Sequence, residues 1–350
     1  MNAKVRIGFC GVGTMGQCAH LRNYYTLPGC EVAAIAEPRS KTAARVAERY
    51  GVSKVYAAAS EMLAAEKLDA IVASQPFTRH GLLLPEILGA GVPVFIEKPL
   101  ASTLEAAERI LAAERDSGTW IMVGYHKRSD PASVYARDRV AALKDSGEGG
   151  RLKYIRVTMP PGDWIQHGFD ELVNEGDEAP KLERDPPAAD MDEETFGRYV
   201  AFVNYYIHQV NLVRFLLGES YEFTWADPGG VVLAGRSESG ATVVIEMAPY
   251  STSTTWEESV LLGFERGYVK IELPAPLVLN RAGTVEVLVD PEGGSPELTQ
   301  AHLPPVHAMR QQAMNFVAAV RGECRPTCTA AQAIEDLKLA REYIRLSAAP

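Results

Sequence analysis

The sequence predicts an α/β protein: a doubly wound parallel sheet at the N-terminus, then an α+β domain with a large open, mainly antiparallel sheet. Three observations predict it. The chain opens on a short apolar strand that runs directly into a glycine-rich turn at residues 11–16. Strand and helix signals then alternate to about residue 125. Past Gly147-Glu148-Gly149-Gly150 the alternation gives way to strands in succession. With 350 residues, 47% hydrophobic and 23% charged, the chain has material for two domains with full cores. The expected division is 1–125 for dinucleotide binding and 126–350 for substrate and oligomerisation, with closing helices in 306–346 packing back on the first part.

The first element carries the most chemistry. Val5, Ile7 and Phe9 have the spacing of a buried strand, and Gly11-Val12-Gly13-Thr14-Met15-Gly16 follows at once as G-x-G-x-x-G. A helix is expected from Met15 to Tyr25. In this strand–turn–helix context Gly11 makes the tight turn, Gly13 lets a pyrophosphate approach the backbone, and Gly16 lets helix and strand pack closely. The helix N-terminus offers unpaired N–H groups to phosphate. Alone, three glycines read equally well as a turn without a ligand. The second half of the fingerprint is an acid after the next strand: residues 31–36 are that strand and Glu37 follows. A carboxylate there accepts hydrogen bonds from ribose hydroxyls and repels a 2′-phosphate. Arg39 is a complication, since an arginine nearby suits NADP; the acid in the ribose position favours NAD.

The alternation continues. Residues 41–50 read as a helix, 52–56 as a short strand, and Ser60 as the N-cap of a helix ending near residue 66. Residues 69–74 form a buried strand, 80–90 a helix stopped by Gly91, 92–96 a strand, 103–117 a helix capped by Ser102 or Thr103, and 119–123 a strand. In such sheets ligands sit beyond the carboxyl ends of the strands, which selects 11–16, Glu37, 74–80, 97–99 and 124–130. Residues 151–159 read as a strand. Residues 160–198 are acidic with no periodicity, and 201–217 form a helix stopped by Gly218. Strands follow at 222–225, 230–236, 241–247, 256–264, 268–273 and 284–289, then helices at 306–321 and 329–346. The acidic stretch 163–194 is too long for a simple connector and reads as a lid, a binding loop, a partner arm or a solvated excursion. Trp164, His167 and Phe169 at its start have the chemistry to face a sugar-like ligand.

A formal net charge of −10 argues against nucleic acid and anionic membranes. No apolar run reaches the roughly 20 residues that span a bilayer. No basic and apolar leader precedes the first strand, and the five cysteines match no zinc spacing, so the expectation is a cytoplasmic protein with reduced thiols and no metal.

These residues together resemble the Gfo/Idh/MocA oxidoreductases, named after glucose–fructose oxidoreductase and inositol dehydrogenase. The resemblance runs over essentially the whole chain. It rests on the glycine turn, Gln75-Pro76 with His80, Glu97-Lys98-Pro99, the run Gly124-Tyr125-His126-Lys127-Arg128, and the helix bearing His208. It implies a Rossmann domain and an oxidoreductase acting on a ring hydroxyl of a sugar, sugar derivative or cyclitol. Gly11, Val12, Gly13, Thr14, Met15, Glu37, Arg39, Ser74, Gln75, Pro76, His80, Glu97, Lys98 and His126 would then hold the cofactor. Lys98, His126, Trp164, Asn204 and His208 would meet the substrate, with Lys127 near both. Lys98, His208 and Asn204 would be catalytic.

The chemistry of the residues agrees with these roles. Oxidising an alcohol removes hydride from carbon and a proton from oxygen; a lysine ammonium can stabilise the developing alkoxide, or a lysine of lowered pKa can take the proton, and a histidine is the side chain best matched to taking it near neutral pH. On one continuous helix Asn204, His208 and Asn211 share a face. Many family members carry aspartate where this chain has Asn204, and often also at Asn211. An asparagine orients the imidazole but lends no charge to its protonated form.

Other functions remain open at this stage. An oxidation–elimination sequence that recycles its NAD would cleave glycosides. A non-catalytic dinucleotide-binding regulator would need neither Lys98 nor His208. A reductase of a non-sugar C=O, C=C or C=N bond would have fewer hydroxyl-binding groups. The open sheet predicts a homodimer or homotetramer through its face.

Overall fold

Largely apolar, buried strands build the first sheet. Val5–Cys10 (β1) and Cys30–Ala36 (β2) are buried along most of their length, and Ala70–Ala73 (β4), Val94–Glu97 (β5) and Ile121–Gly124 (β6) along all of it. Strands covered on both faces are expected to read as apolar runs, not as alternations. With Val55–Tyr56 (β3) they form a six-stranded parallel sheet in the order β3-β2-β1-β4-β5-β6. The order reverses at β1/β4, which places a crevice beyond the carboxyl ends of those two strands. The crossovers are Arg22–Tyr24 (α1), Ser40–Tyr50 (α2), Ala59–Ala65 (α3), His80–Leu88 (α4) and Leu104–Ser117 (α5). Thr103 caps α5 by accepting the Ala106 N–H at 3.1 Å, as the sequence predicts. Ser60 does not cap α3; the N-cap position is Ala58 and lacks a side-chain bond.

The computed structural model describes residues 3–348. They fall into two compact units: 3–125 with 168–200 and 309–337, and 126–167 with 201–308 and 338–348. The first unit is therefore not contiguous in sequence. Its core takes Ala313, Phe316 and Val317 from the helix Ala308–Val320 (α9). Phe316 is wholly buried, edge-on to Phe95 and Trp120 at 5.7 and 5.8 Å, and burying such a ring stabilises the unit by about 1.5–3 kcal/mol.

The acidic stretch also docks on this unit, as a strap. Val173 brackets the Gln17 amide with its own N–H and C=O, both at 3.0 Å. Arg79 Nε donates to the Glu183 carbonyl at 2.8 Å. The Asp185 side chain is fully buried; it accepts the Gly81 N–H at 2.9 Å and Arg109 Nη2 at 3.0 Å. The Gly81 contact meets the first turn of α4, where unpaired N–H groups are available.

The second unit begins with Pro131–Ser146 (α6), a helix that the sequence reading passes over. Its signals are regular: Asp130 accepts the Ala132 N–H at 2.8 Å, Pro131 sits in the first turn, and Gly147 closes it with φ +68. Leu152–Thr158 (β7) follows. Glu193–Tyr205 (α7) and Ile207–Leu217 (α8) replace the single helix expected over 201–217. The break falls at Tyr206, whose hydroxyl donates to the Met247 carbonyl. Tyr221–Ala226 (β8), Val232–Ser237 (β9), Thr242–Glu246 (β10), Glu258–Phe264 (β11), Gly267–Leu273 (β12), Thr284–Val289 (β13) and Glu297–Gln300 (β14) complete an eight-stranded sheet, β14-β13-β12-β11-β7-β10-β9-β8. Only β7/β10 pair in parallel. Alternate residues of β7, β11 and β13 are buried, so one face is covered, and α6 and α8 pack against the sheet. Ala330–Ser347 (α10) closes the chain. No helix among the described residues is long and apolar enough to cross a membrane.

Replacing Asp185 by alanine strands the Gly81 N–H and frees Arg109. The expected cost is about 1–3 kcal/mol. A lower Tm together with new proteolytic cuts within 168–200 checks this; an unchanged cleavage pattern would show that the strap is not held there.

Candidate functional site

The glycine turn divides its three glycines by what surrounds them. Gly11 leaves β1 with φ +90, and a Cβ there would meet Gln75 Nε2 at 2.5 Å and the Ser74 carbonyl at 2.6 Å. A Cβ on Gly16 would lie 2.5 Å from the Gly11 carbonyl. These two are closed by packing. A Cβ on Gly13 would approach only Arg39 Nη2, at 3.8 Å. Gly13 is half-buried, Thr14 exposed and Met15 half-buried, so the middle of the turn is an open cradle. The residues present fit a dinucleotide pyrophosphate.

The helix after the turn differs from the plain helix expected. Gly16–Leu21 is π-helical and wholly buried before α1 begins. The wide turn accompanies two inward polar side chains: Gln17 donates to the Val12 carbonyl at 2.7 Å, and His20 points to β5.

Glu37 lies beside the cradle, 5% exposed. It accepts the Val12 N–H at 3.0 Å and holds Arg39 bidentately, through Nε at 2.8 Å and Nη2 at 3.0 Å. Burial pushes its carboxyl up, but the Arg39 guanidinium and the Val12 and Arg39 N–H groups outweigh that and hold it below the usual carboxylate range. Ser74, Gln75 and Pro76 follow β4 next to Gly11, half-buried to exposed. His80, placed by the resemblance among the cofactor residues, is instead wholly buried. Its Nδ1 lies 3.1 Å from the Leu100 carbonyl and its Nε2 3.2 Å from the Gln75 carbonyl. Burial lowers its pKa despite both carbonyls. It shapes the loop behind Gln75 and offers no surface of its own.

Glu97 and Lys98 end β5. Glu97 is buried, and its Oε1 meets His20 Nε2 at 2.5 Å while its Oε2 accepts the Lys98 N–H at 3.1 Å. Burial works against the carboxylate; the hydrogen bond and charge of His20, then Lys98, overcome it and hold the carboxyl below its ordinary value. Lys98 is half-buried, and the Lys98–Pro99 bond is cis. The backbone of Lys98 is thus tied through one carboxylate to the helix that leaves the glycine turn. Sequence reasoning missed His20. A histidine in the fingerprint helix and an acid beside the lysine were both visible, but nothing linked positions 77 residues apart.

In the second unit His126 and His208 are in edge contact, ring centroids 4.5 Å apart, with His126 buried and His208 half-buried. Asn204 is exposed near the end of α7, and Asn211 is buried on α8, where its Oδ1 accepts Arg128 Nε at 2.6 Å. Lys127, expected near substrate and cofactor, is buried in an ion pair with Glu258 at 2.5 Å. Glu258 also accepts Gln209 Nε2 at 2.7 Å. Lys127 and Arg128 support the loop that carries His126. Trp164 is half-buried, its carbonyl accepting the Leu277 N–H at 3.4 Å. Gln166 and His167 after it have φ 40 and 65.

Residues 5–125 match the model of an oxidoreductase family with an NAD-binding Rossmann fold. The chain is 29% identical over 173 residues to a scyllo-inositol 2-dehydrogenase (NAD(+)) of Bacillus subtilis, covering 48% of this chain and 49% of that protein. It is 32% identical over 192 residues to an inositol 2-dehydrogenase of Leifsonia xyli, covering 53% and 55%. The matched span is about half the length of these relatives. The fold matches the crystal structure of a putative NADPH-dependent oxidoreductase from Desulfitobacterium hafniense with a TM-score of 0.77 at 13% identity, over 99% of this chain and 96% of that one.

His20→Phe removes the partner of Glu97 and leaves a buried carboxylate facing a ring. Stability at pH 7 should fall by about 3 kcal/mol. Because the native pKa of Glu97 is depressed, its contribution is present above the ordinary value of 4.5 and is lost as pH falls through the native one. The gap between wild type and variant should therefore be full at neutral pH and close on acidification, as urea unfolding from pH 7 to 3 would show. A gap constant with pH would remove Glu97 as its cause.

Proposed function

We propose that this chain, whose residues 5–125 match an oxidoreductase family with an NAD-binding Rossmann fold, is an oxidoreductase of the Gfo/Idh/MocA type that oxidises a ring hydroxyl of a cyclitol, sugar or sugar derivative, or reduces the matching ketone, with NAD(H). The observation that carries this reading is the tie from Lys98 through Glu97 to His20, on the helix that leaves the open glycine cradle. The backbone that carries the candidate reacting amine is thus braced against the helix that follows the proposed dinucleotide cradle. The relatives that act on inositols support the substrate class.

Gly13, Thr14 and Met15 would cradle the pyrophosphate, and Glu37 would accept the ribose hydroxyls beside Val12. Ser74, Gln75 and Pro76 would border the nicotinamide side. When bound, NAD supplies the hydride acceptor. Lys98 holds the substrate oxygen through its ammonium and stabilises negative charge as the proton leaves. His208 accepts that proton; an imidazole is suited to this near neutral pH. His126 braces the His208 ring edge-on, and Asn204 and Trp164 contribute hydroxyl contacts. Glu37 favours NAD over NADP. The sheet of the second unit has half-buried apolar residues on its other face, among them Leu261, Val244 and Leu288, which supports a second copy of this chain as its cover.

The test is NADH formation at 340 nm with a panel of inositols, pyranoses and glycosides. Lys98→Ala should lower kcat by about 10²–10⁴ while NAD still binds. A variant that turns over like wild type would refute the assigned role. NADH formation with no polyol of the panel, despite NAD binding, would refute the substrate class.

A further inference from the structure

The segment Arg39-Ser40-Lys41-Thr42 after β2 has the chemistry of a phosphate site. It offers a guanidinium, an ammonium, two hydroxyls and the start of a helix of 11 residues. In this fold a 2′-phosphate on the adenosine ribose would arrive there. Its key donors are nevertheless already taken. Glu37 holds Arg39 through Nε, Nη2 and, at 3.2 Å, the backbone N–H. The N-cap residue of α2 is Arg39, which provides no side-chain cap. The cap comes from the strap instead. Asp177 Oδ2 accepts the Lys41 N–H at 2.8 Å; Oδ1 accepts the Thr42 N–H at 3.2 Å and the Thr42 hydroxyl. The Glu175 N–H then donates to Thr42 Oγ1 at 3.2 Å, and Thr42 is wholly buried beneath the strap.

We propose that Asp177 is a determinant of cofactor specificity: it occupies the α2 N-terminus with a carboxylate and so excludes the 2′-phosphate of NADP. The inference rests on the reading of the glycine turn as an NAD site and deepens it. Glu37 alone guards the ribose and the arginine; Asp177 guards the helix. An incoming phosphate dianion would meet two carboxylates and would have to displace the strap from Thr42. The Thr42 hydroxyl, then the Thr42 and Lys41 N–H groups, hold the Asp177 carboxyl below its usual range, so it is charged at neutral pH. Its charge also reaches Arg39, whose pKa is raised by Glu37 first and by Asp177 as well. The residue lies 136 positions from Lys41, in a stretch without periodicity.

Titration calorimetry of the full chain with NAD and with NADP, for wild type, Asp177→Asn and Asp177→Ala, tests this directly. Wild type should bind NAD more tightly. Asparagine keeps a capping side chain and removes the charge; alanine removes both. Both variants should lower the ratio Kd(NADP)/Kd(NAD) on the order of tenfold, the scale of one partly screened like-charge contact. Both should also gain a larger upward Tm shift from NADP than wild type does. NAD binding in wild type with an unchanged ratio in both variants overturns this inference and leaves the NAD reading standing. A change in Asp177→Ala alone assigns the effect to a loosened strap, not to charge, and also overturns it. Wild type that binds neither dinucleotide overturns the underlying reading, and this one with it.

Discussion

The first unit depends on a buried carboxylate. Glu97 ends a central strand where burial disfavours its charge, and it remains ionised because His20 and the Lys98 N–H lie on its two oxygens. That arrangement requires His20 to face inward from the helix after the glycine turn. It is accompanied there by a π-helical segment and by Gln17, which closes on Val12 and Val173. The glycine turn, β5 and the strap are therefore linked by polar bonds and not only by adjacency. An unsatisfied member of such a buried network is costly, so its members specify one another.

The strap repeats the same logic at the edge of the sheet. A helix start needs an acceptor for its unpaired N–H groups. In α5 and α6 the acceptor is local, Thr103 or Asp130. In α2 and at Gly81 in α4 it comes from far along the chain, as Asp177 and Asp185. Long-range caps hold the strap down while completing the helices beneath it. They also place acidic groups around Arg39 and Arg109, where an outside anion would otherwise find partners.

Local signals made the first sheet legible. The apolar run of β1, the glycines, Glu37 and the Thr103 cap each declare themselves within a few residues. The fold class followed from their alternation. Failures arose where the determinant is distant or spread out. The helix read over 201–217 divides at Tyr206, the residue whose hydroxyl reaches the distant Met247 carbonyl, a contact no local pattern announces. Lys127 looked like a site residue until its partner Glu258 appeared 131 positions away. The resemblance set His80 among the cofactor residues, yet both its ring nitrogens face carbonyls of neighbouring loops. The missed helix α6 is different: its Asp130-Pro131 start and Gly147 end are local signals present in the sequence.

The acidic stretch shows why composition alone misleads here. Read as charge, residues 163–194 suggest a segment kept in water by its own repulsion. In the structure Asp177 and Asp185 sit on helix N-termini, and Glu171 pairs with Arg49 at 3.0 Å. Each of these acids answers a specific donor. A segment fastened in that way is selective by sign. It settles over basic and N–H-rich ground and denies that ground to other anions, while leaving open the cradle at Gly13, where the nearest atom to a would-be Cβ is Arg39 Nη2 at 3.8 Å. Negative charge in this stretch thus acts as an address for docking and as a filter on what else can bind beside it.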